Sequence, residues 1–334
     1  MANNRCLIVD AYNLFIRHYV ANPTMSKNGE QIGGIVGFYN NLTKLIDRTN
    51  AKDVYIIWEG GGSVRKKNIY SDYKRQSRPV KLNRYYDDIP DTMQNRNYQI
   101  KTLIKFLDNF PVTQLYVEGS EADDVIGYLC KYRFKSRPKV ILSSDHDYYQ
   151  LLDNLTIIYS PTLKSFVNEK FVIDKFGIHP SNFALAKAIV GDNSDNIPGV
   201  PGAGFKTLVK EFGHLFQNPD FEANRFQLFV ENSDKMENSK KKIYRSIKEN
   251  EDMIERNFKV INLDVDNLAH YQINKLEQKL ENYKKTYNNI NIHKLLNENA
   301  INSIDVYNTK IIYNRLLLWG TNEHVPRPCW KLLF

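Results

Sequence analysis

Short apolar runs alternate with longer stretches of mixed polarity along the first half of the chain. The runs are Cys6–Val9, Val54–Trp58, Gln114–Val117, Val140–Leu142 and Leu155–Tyr159. Several lack the apolar/polar alternation of a half-exposed strand. Such runs suit strands covered on both faces, as in a parallel sheet. The stretches between them carry helical spacing, so the pattern predicts an α/β fold with a mostly parallel central sheet and helices on both faces. Residues 60–98 break the pattern: they are basic and aromatic, with no clear strand. From Pro180 to Phe212 the order reads helix, Gly/Pro-rich turn, helix. Beyond Gly213 the chain reads as mostly helical, with a strand-like break at Phe258–Leu263 and a charged helical stretch at Lys275–Tyr287.

In open α/β sheets, sites form beyond the carboxyl ends of the strands. Acids recur there. Asp10 follows the first run, Glu59 the second, and Asp145 and Asp147 the fourth. Glu121, Asp123 and Asp124 stand at a helix start, and Asp192 and Asp195 precede the Gly/Pro-rich turn. Singly, each has a structural reading: Ser120-Glu121-Ala122-Asp123 fits a helix cap, and Asp145 and Asp147 fit a turn. Together they would repel one another, and a bound cation is the natural compensation. Oxygen ligands of this kind suit Mg²⁺, with Mn²⁺ as the alternative, and two such ions can flank a phosphodiester under attack.

In the turn, Gly199, Gly202 and Gly204 allow another chain to approach the backbone. The helix that follows presents free amides and carries Lys206 in its first turn, a combination suited to phosphate. A plain helical hairpin is the alternative. The segment Arg65–Arg84 holds eight basic residues, Arg65, Lys66, Lys67, Lys74, Arg75, Arg78, Lys81 and Arg84, against one acid, Asp72. Tyr70 and Tyr73 are interleaved with them, a mixture that fits single-stranded nucleic acid. The net charge of +8 and pI of about 9.1 agree with a polyanionic partner. Cys6, Cys130 and Cys329 have no metal-ligand spacing. No apolar run approaches the length of a membrane span, and Met1–Arg5 lead straight into the first strand. These features point to a cytoplasmic protein, and a monomer is expected.

The motifs in combination resemble the flap endonuclease family, and most closely its bacterial and phage 5′→3′ exonuclease branch. The likeness rests on Ile8-Val9-Asp10-Ala11-Tyr12-Asn13, Trp58-Glu59-Gly60, Tyr73-Lys74 with Arg78-Pro79, Glu121-Ala122-Asp123-Asp124-Val125-Ile126, Ser144-Asp145-His146-Asp147, and Gly191 through Thr207. It covers about residues 5 to 213 and continues more weakly through Arg256–Leu263. It implies a PIN-like catalytic domain over 1–180 with a helical arch at about 62–98. A helix–three-turn–helix region would follow over 181–264, then a helical extension over 265–334. It implies a two-metal site with an inner group of Asp10, Glu121, Asp123, Asp145 and Asp147 and an outer pair, Asp192 and Asp195. Lys74 and Arg78 would act on the scissile phosphate, and K⁺ would sit in the three-turn motif. The implied activity is hydrolysis near single-strand/duplex junctions, leaving a 5′-phosphate and a 3′-hydroxyl. The implied substrates are 5′-flap DNA and RNA/DNA primer duplexes during replication.

Three features depart from the family pattern. Glu59 stands where Asp is usual. Lys74 and Arg78 are one residue further apart than usual. The extension after about residue 264 has no counterpart. Its apolar end, Pro326–Phe334, fits either docking to a replication partner such as a single-strand binding protein or packing on its own domain. Two other functions fit parts of the pattern: a catalytically inactive structure-specific DNA-binding protein, and a PIN-type ribonuclease.

Overall fold

The computed structural model describes residues 4–75, 92–219 and 241–318. Arg78, Lys81, Arg84, Cys329 and the Pro326–Phe334 end lie outside them. Six strands form one sheet in the order β3-β2-β1-β4-β5-β6. They are β1 (Cys6–Asp10), β2 (Asp53–Ile57), β3 (Thr113–Leu115), β4 (Lys139–Leu142), β5 (Thr156–Ser160) and β6 (Ser165–Val167). The first five are mutually parallel, and β6 pairs antiparallel with β5.

The apolar runs work as strands because successive side chains feed opposite faces. Cys6, Ile8, Tyr55, Ile57, Ile141 and Ile158 enter one core, under α5 (Ala122–Tyr128) and α7 (Phe183–Val190). Leu7, Val9, Val54, Ile56, Val140 and Leu142 enter the other, under α1 (Ala11–Ala21), α2 (Gly33–Thr49) and α4 (Met93–Leu107). The parallel register sets Asp10 against Ile57 and Val9 against Leu142. All the acid-bearing strand ends therefore open on one rim.

One expectation is corrected. Phe258–Leu263 is no strand: Glu251–Ile261 is a helix, α10, with Ile254, Asn257, Val260 and Ile261 buried. Their helical spacing packs against α7, and Asn257 Nδ2 donates to the carbonyls of Ala188 (2.9 Å) and Pro198 (2.7 Å). The short hairpin strand β6, which has only three residues, gave no run long enough to register. Within 60–98 the described residues form helix α3 (Val64–Ile69) and the start of α4.

The extension folds back over the sheet. Helix α11 (His270–Asn282) packs beside β3, and Tyr283 donates its hydroxyl to the Val112 carbonyl at 2.9 Å. Helices α12 (Asn289–Glu298) and α13 (Val306–Leu317) lie on the other face, where Ile292, Leu296, Tyr313 and Leu316 are buried with Tyr39 and Phe110. Residues 265–318 thus clasp the β3 side of the sheet and contribute to both cores.

Candidate metal centre and nucleic-acid interface

Asp10 ends β1 and caps α1, accepting from the Asn13 amide at 3.2 Å. Ser143 Oγ and the Tyr148 hydroxyl both donate to its Oδ2, at 3.1 and 3.0 Å. These contacts fix the carboxylate at the rim. Glu59, two residues past β2, accepts from the Ala122 amide at 3.2 Å, which ties it to the start of α5. Glu121, not Ser120, is the N-cap of that helix and makes no side-chain cap, so the cap that the Ser120-to-Asp123 spacing suggested does not form. Asp145 caps the 3₁₀ turn His146–Leu151 by accepting from the Asp147 amide. Its structural reading is therefore true as well, and does not exclude a chemical one.

Asp147, Asp192 and Asp195 each offer an oxygen, and the three oxygens lie within 4.8 Å of one another. One hard cation can reach all three. Lys187 lies buried beside them, its ammonium bonded to Asp147 and, at 2.8 Å, to Asp192. Asp192 and Lys187 border a cleft of about 380 Å³ that also takes in Asp145, Gly191 and Phe205. The acids at the start of α5 are balanced by a buried lysine. Lys66 Nζ sits 2.9 Å from Glu121, 2.8 Å from Asp123 and 3.5 Å from Asp124. Expected on the surface facing DNA, Lys66 is buried, drawn inward by these acids. Asp124 is the deepest of the set and also accepts from Asn267 Nδ2 at 2.8 Å.

Lys74 stands at the mouth. Its Nζ lies 2.9 Å from Glu121 Oε1 and 3.8 Å from Asp195 Oδ2, while its amide donates to the Asp195 carbonyl. Tyr73 donates its hydroxyl to Glu121 at 2.7 Å. Lys67, Arg75 and Lys206 are exposed; Arg65 donates to the Lys259 carbonyl at 3.0 Å. Sequence reasoning missed Lys187, Tyr148 and Asn267, and read Tyr73 as a nucleic-acid contact rather than a partner of Glu121. Only Lys187 left a signal, as the single charge in the apolar run Phe183–Val190.

The charges set the protonation of the rim. Burial would raise Glu121, but the ammoniums of Lys66 and Lys74 outweigh it and hold its carboxyl at about 2. Burial pushes Asp10, Asp147 and Asp195 up to about 6 and Asp124 to about 7, with neighbouring carboxylates adding to the rise. In the metal-free protein these four keep protons that an unfolded chain, with Asp near about 3.9, has already released. The stability they contribute is complete below about pH 4 and is lost as pH rises through about 6 to 7. Glu121 works the other way: its share is present above its ordinary value and lost as pH falls toward 2. Divalent metal requires the ionised carboxylates, so Mg²⁺ should stabilise the protein more at pH 8 than at pH 5.5. Melting curves with Mg²⁺ or EDTA at both pH values check this. An equal gap at the two would sink it.

The turn after α7 divides its glycines by task. A Cβ on Gly199 would lie 1.9 Å from the Val190 carbonyl oxygen, so Gly199 serves internal packing. Nothing lies within 4 Å of a Cβ on Gly202 or Gly204. Gly202 has φ +82°, where a side chain is strained in any surroundings. Gly204 is extended and precedes α8 (Phe205–Phe216) without any side-chain cap, leaving first-turn amides open to a phosphate. Gly204→Val should therefore keep the melting temperature and weaken duplex binding by roughly tenfold, a single lost contact of about 1.4 kcal/mol. Wild-type duplex affinity would rule the phosphate role out.

A parallel sheet with a carboxylate rim, followed by a helix–turn–helix with an open amide end, is the architecture of a PIN-like nuclease. Residues 5–177 match the family described as 5′-3′ exonuclease, N-terminal resolvase-like domain, and the chain belongs to that family. A 5′-3′ exonuclease of Aquifex aeolicus is 32% identical over 213 residues, 62% of this chain and 70% of that protein. The thermostable DNA polymerase I of Thermus thermophilus is 31% identical over 216 residues, and the match spans only 24% of the polymerase. A bacteriophage T5 flap endonuclease, solved with DNA and metal ions, shares the fold with a TM-score of 0.64 at 20% identity, over 88% of this chain and 100% of that one.

Proposed function

We propose that this chain is a structure-specific 5′-nuclease, a flap endonuclease and 5′→3′ exonuclease. It would hydrolyse phosphodiesters near single-strand/duplex junctions, leaving 5′-phosphate and 3′-hydroxyl ends. Its role would be to remove flaps and RNA primers in DNA replication, as a cytoplasmic monomer. The observation that carries this reading is the meeting of Asp147, Asp192 and Asp195 on the rim that also holds Asp10, Glu121 and Asp123. Among the described residues no helix is long and apolar enough to cross a membrane.

The donor set is all oxygen and fits Mg²⁺. Asp147, Asp192 and Asp195 would hold one ion, and Asp10, Glu121, Asp123 and Asp145 another, with Glu59 beside them. Bound there, Mg²⁺ supplies Lewis acidity and lowers the pKa of water. The chain does the rest. Ser143, Tyr148 and the Asn13 amide orient Asp10. Asn267 and Lys66 hold Asp124, whose part is then to position Lys66. Lys74, at the mouth, faces the incoming phosphate, and the Gly202–Lys206 segment holds the duplex backbone. K⁺ would sit in the turn between α7 and α8.

The test is an end-labelled 5′-flap substrate incubated with Mg²⁺ or EDTA, beside blunt duplex and single-stranded RNA. Metal-dependent cutting at the junction is the expected result. Flap binding without cutting would leave an inactive DNA-binding protein, and cutting of RNA alone a ribonuclease.

A further inference from the structure

A separate cleft of about 250 Å³ opens at the carboxyl end of the edge strand β3. Tyr116 and Glu118 line one wall; Tyr271, Gln272, Lys275 and Lys279 of α11 line the other. Tyr116 and Tyr271 are each 61% exposed. A cation attends each. Lys279 Nζ lies 5.3 Å from the Tyr116 centroid and Lys275 Nζ 5.8 Å from that of Tyr271. Glu118 is the single acid lining the cleft, against two lysines. Exposed rings flanked by ammoniums suit single-stranded nucleic acid. Any base can stack on the ring, and the ammonium pairs with phosphate.

Hydrogen bonds join this cleft to the reactive rim. Gln272 Nε2 donates to the Glu118 carbonyl at 2.8 Å and to Ser120 Oγ at 3.0 Å. The same loop leads directly into Glu121. It exchanges backbone hydrogen bonds with Gly60, next to Glu59, and accepts from the Val64 amide at the start of α3. The cleft therefore adjoins the foot of the basic, aromatic stretch and the metal rim together.

We propose that this cleft is a subsite for the unpaired 5′ strand. A base stacks on Tyr116 or Tyr271, and its phosphate pairs with Lys275 or Lys279. The proposal rests on the flap-cutting reading above. A flap too short to reach the cleft gains nothing from it, so the subsite acts as a gauge of flap length.

The experiment compares the affinity and cleavage of a one-nucleotide flap with those of a flap of about 20 nucleotides, beyond the roughly 4–16 nucleotides of a typical single-strand site. Wild type is set beside Tyr116→Ala/Tyr271→Ala and beside Lys275→Gln/Lys279→Gln, with melting curves to check folding. The tyrosine pair should lose roughly tenfold or more in affinity for the long flap and keep wild-type values on the short one. The lysine pair should show the same selectivity with a shallower salt dependence. Equal losses on both flaps, or none on either, overturn the proposal. Failure of wild type to cut any flap would instead refute the function. The cleft is then still tested by anisotropy with a labelled oligothymidylate, where wild-type binding by both variants overturns it. That last result would leave the cleft to a protein partner.

Discussion

Asp145→Asn combined with Asp147→Asn is expected to abolish cleavage while leaving the fold and flap binding in Ca²⁺ nearly intact. Asn has the shape of Asp and still accepts a backbone hydrogen bond, so position 145 can go on capping the His146–Leu151 turn. Position 147 loses the charge that it shares with Asp192 and Asp195 around one point. Lys187 keeps Asp192 as a partner, so no buried ammonium is stranded. What disappears is negative charge at the place where a cation must sit. The single-turnover rate should fall by about 10³-fold or more, the scale of losing a contact that stabilises developing charge. A double variant that cuts flap DNA at near wild-type rate in Mg²⁺ would show that these acids do not hold the reactive ions.

Lys74→Ala should lower the single-turnover rate by roughly 10²-fold with a much smaller loss of binding. The ammonium lies between Glu121 and Asp195, at the mouth of the rim, where a phosphate approaches. A charge there stabilises the transition state, in which negative charge grows on the phosphate oxygens, more than it stabilises the bound ground state. The backbone hydrogen bond to the Asp195 carbonyl does not depend on the side chain, so the loop should stay in place. Binding persists through Lys67, Arg75, Lys206 and the open amides before α8. Arg78→Ala should give a weaker version of the same loss. If Lys74→Ala protein binds poorly yet cuts bound substrate at full speed, Lys74 belongs to binding alone.

The strands were legible because burial on both faces demands continuous apolar runs, and Leu7, Ile56 and Ile141 meet that demand residue by residue. The acids were legible because a strand end is a fixed place in a parallel sheet. Three things were not. Lys66 looked like any base in a basic stretch, and only the folded chain shows that its face of α3 turns onto Glu121 and Asp123. Residues Phe258–Leu263 have an apolar alternation compatible with a strand, and their helical state depends on α7, which is distant in sequence. Tyr116 and Tyr271 are 155 positions apart, so no local pattern could place them across one cleft.

The clasp formed by residues 265–318 also bears on how this protein avoids sticking to itself. Strand β3 is an edge with one unpaired side, and an unpaired edge invites the strand of another molecule. Helix α11 lies beside it and Tyr283 takes up the Val112 carbonyl, so the edge offers little to a second chain. Cutting the chain at residue 264 would uncover that edge together with the apolar residues that Ile292, Leu296 and Tyr313 cover. The acids would all still be present in such a fragment. It should nonetheless be recovered mainly as aggregate, an outcome easily misread as loss of a catalytic element.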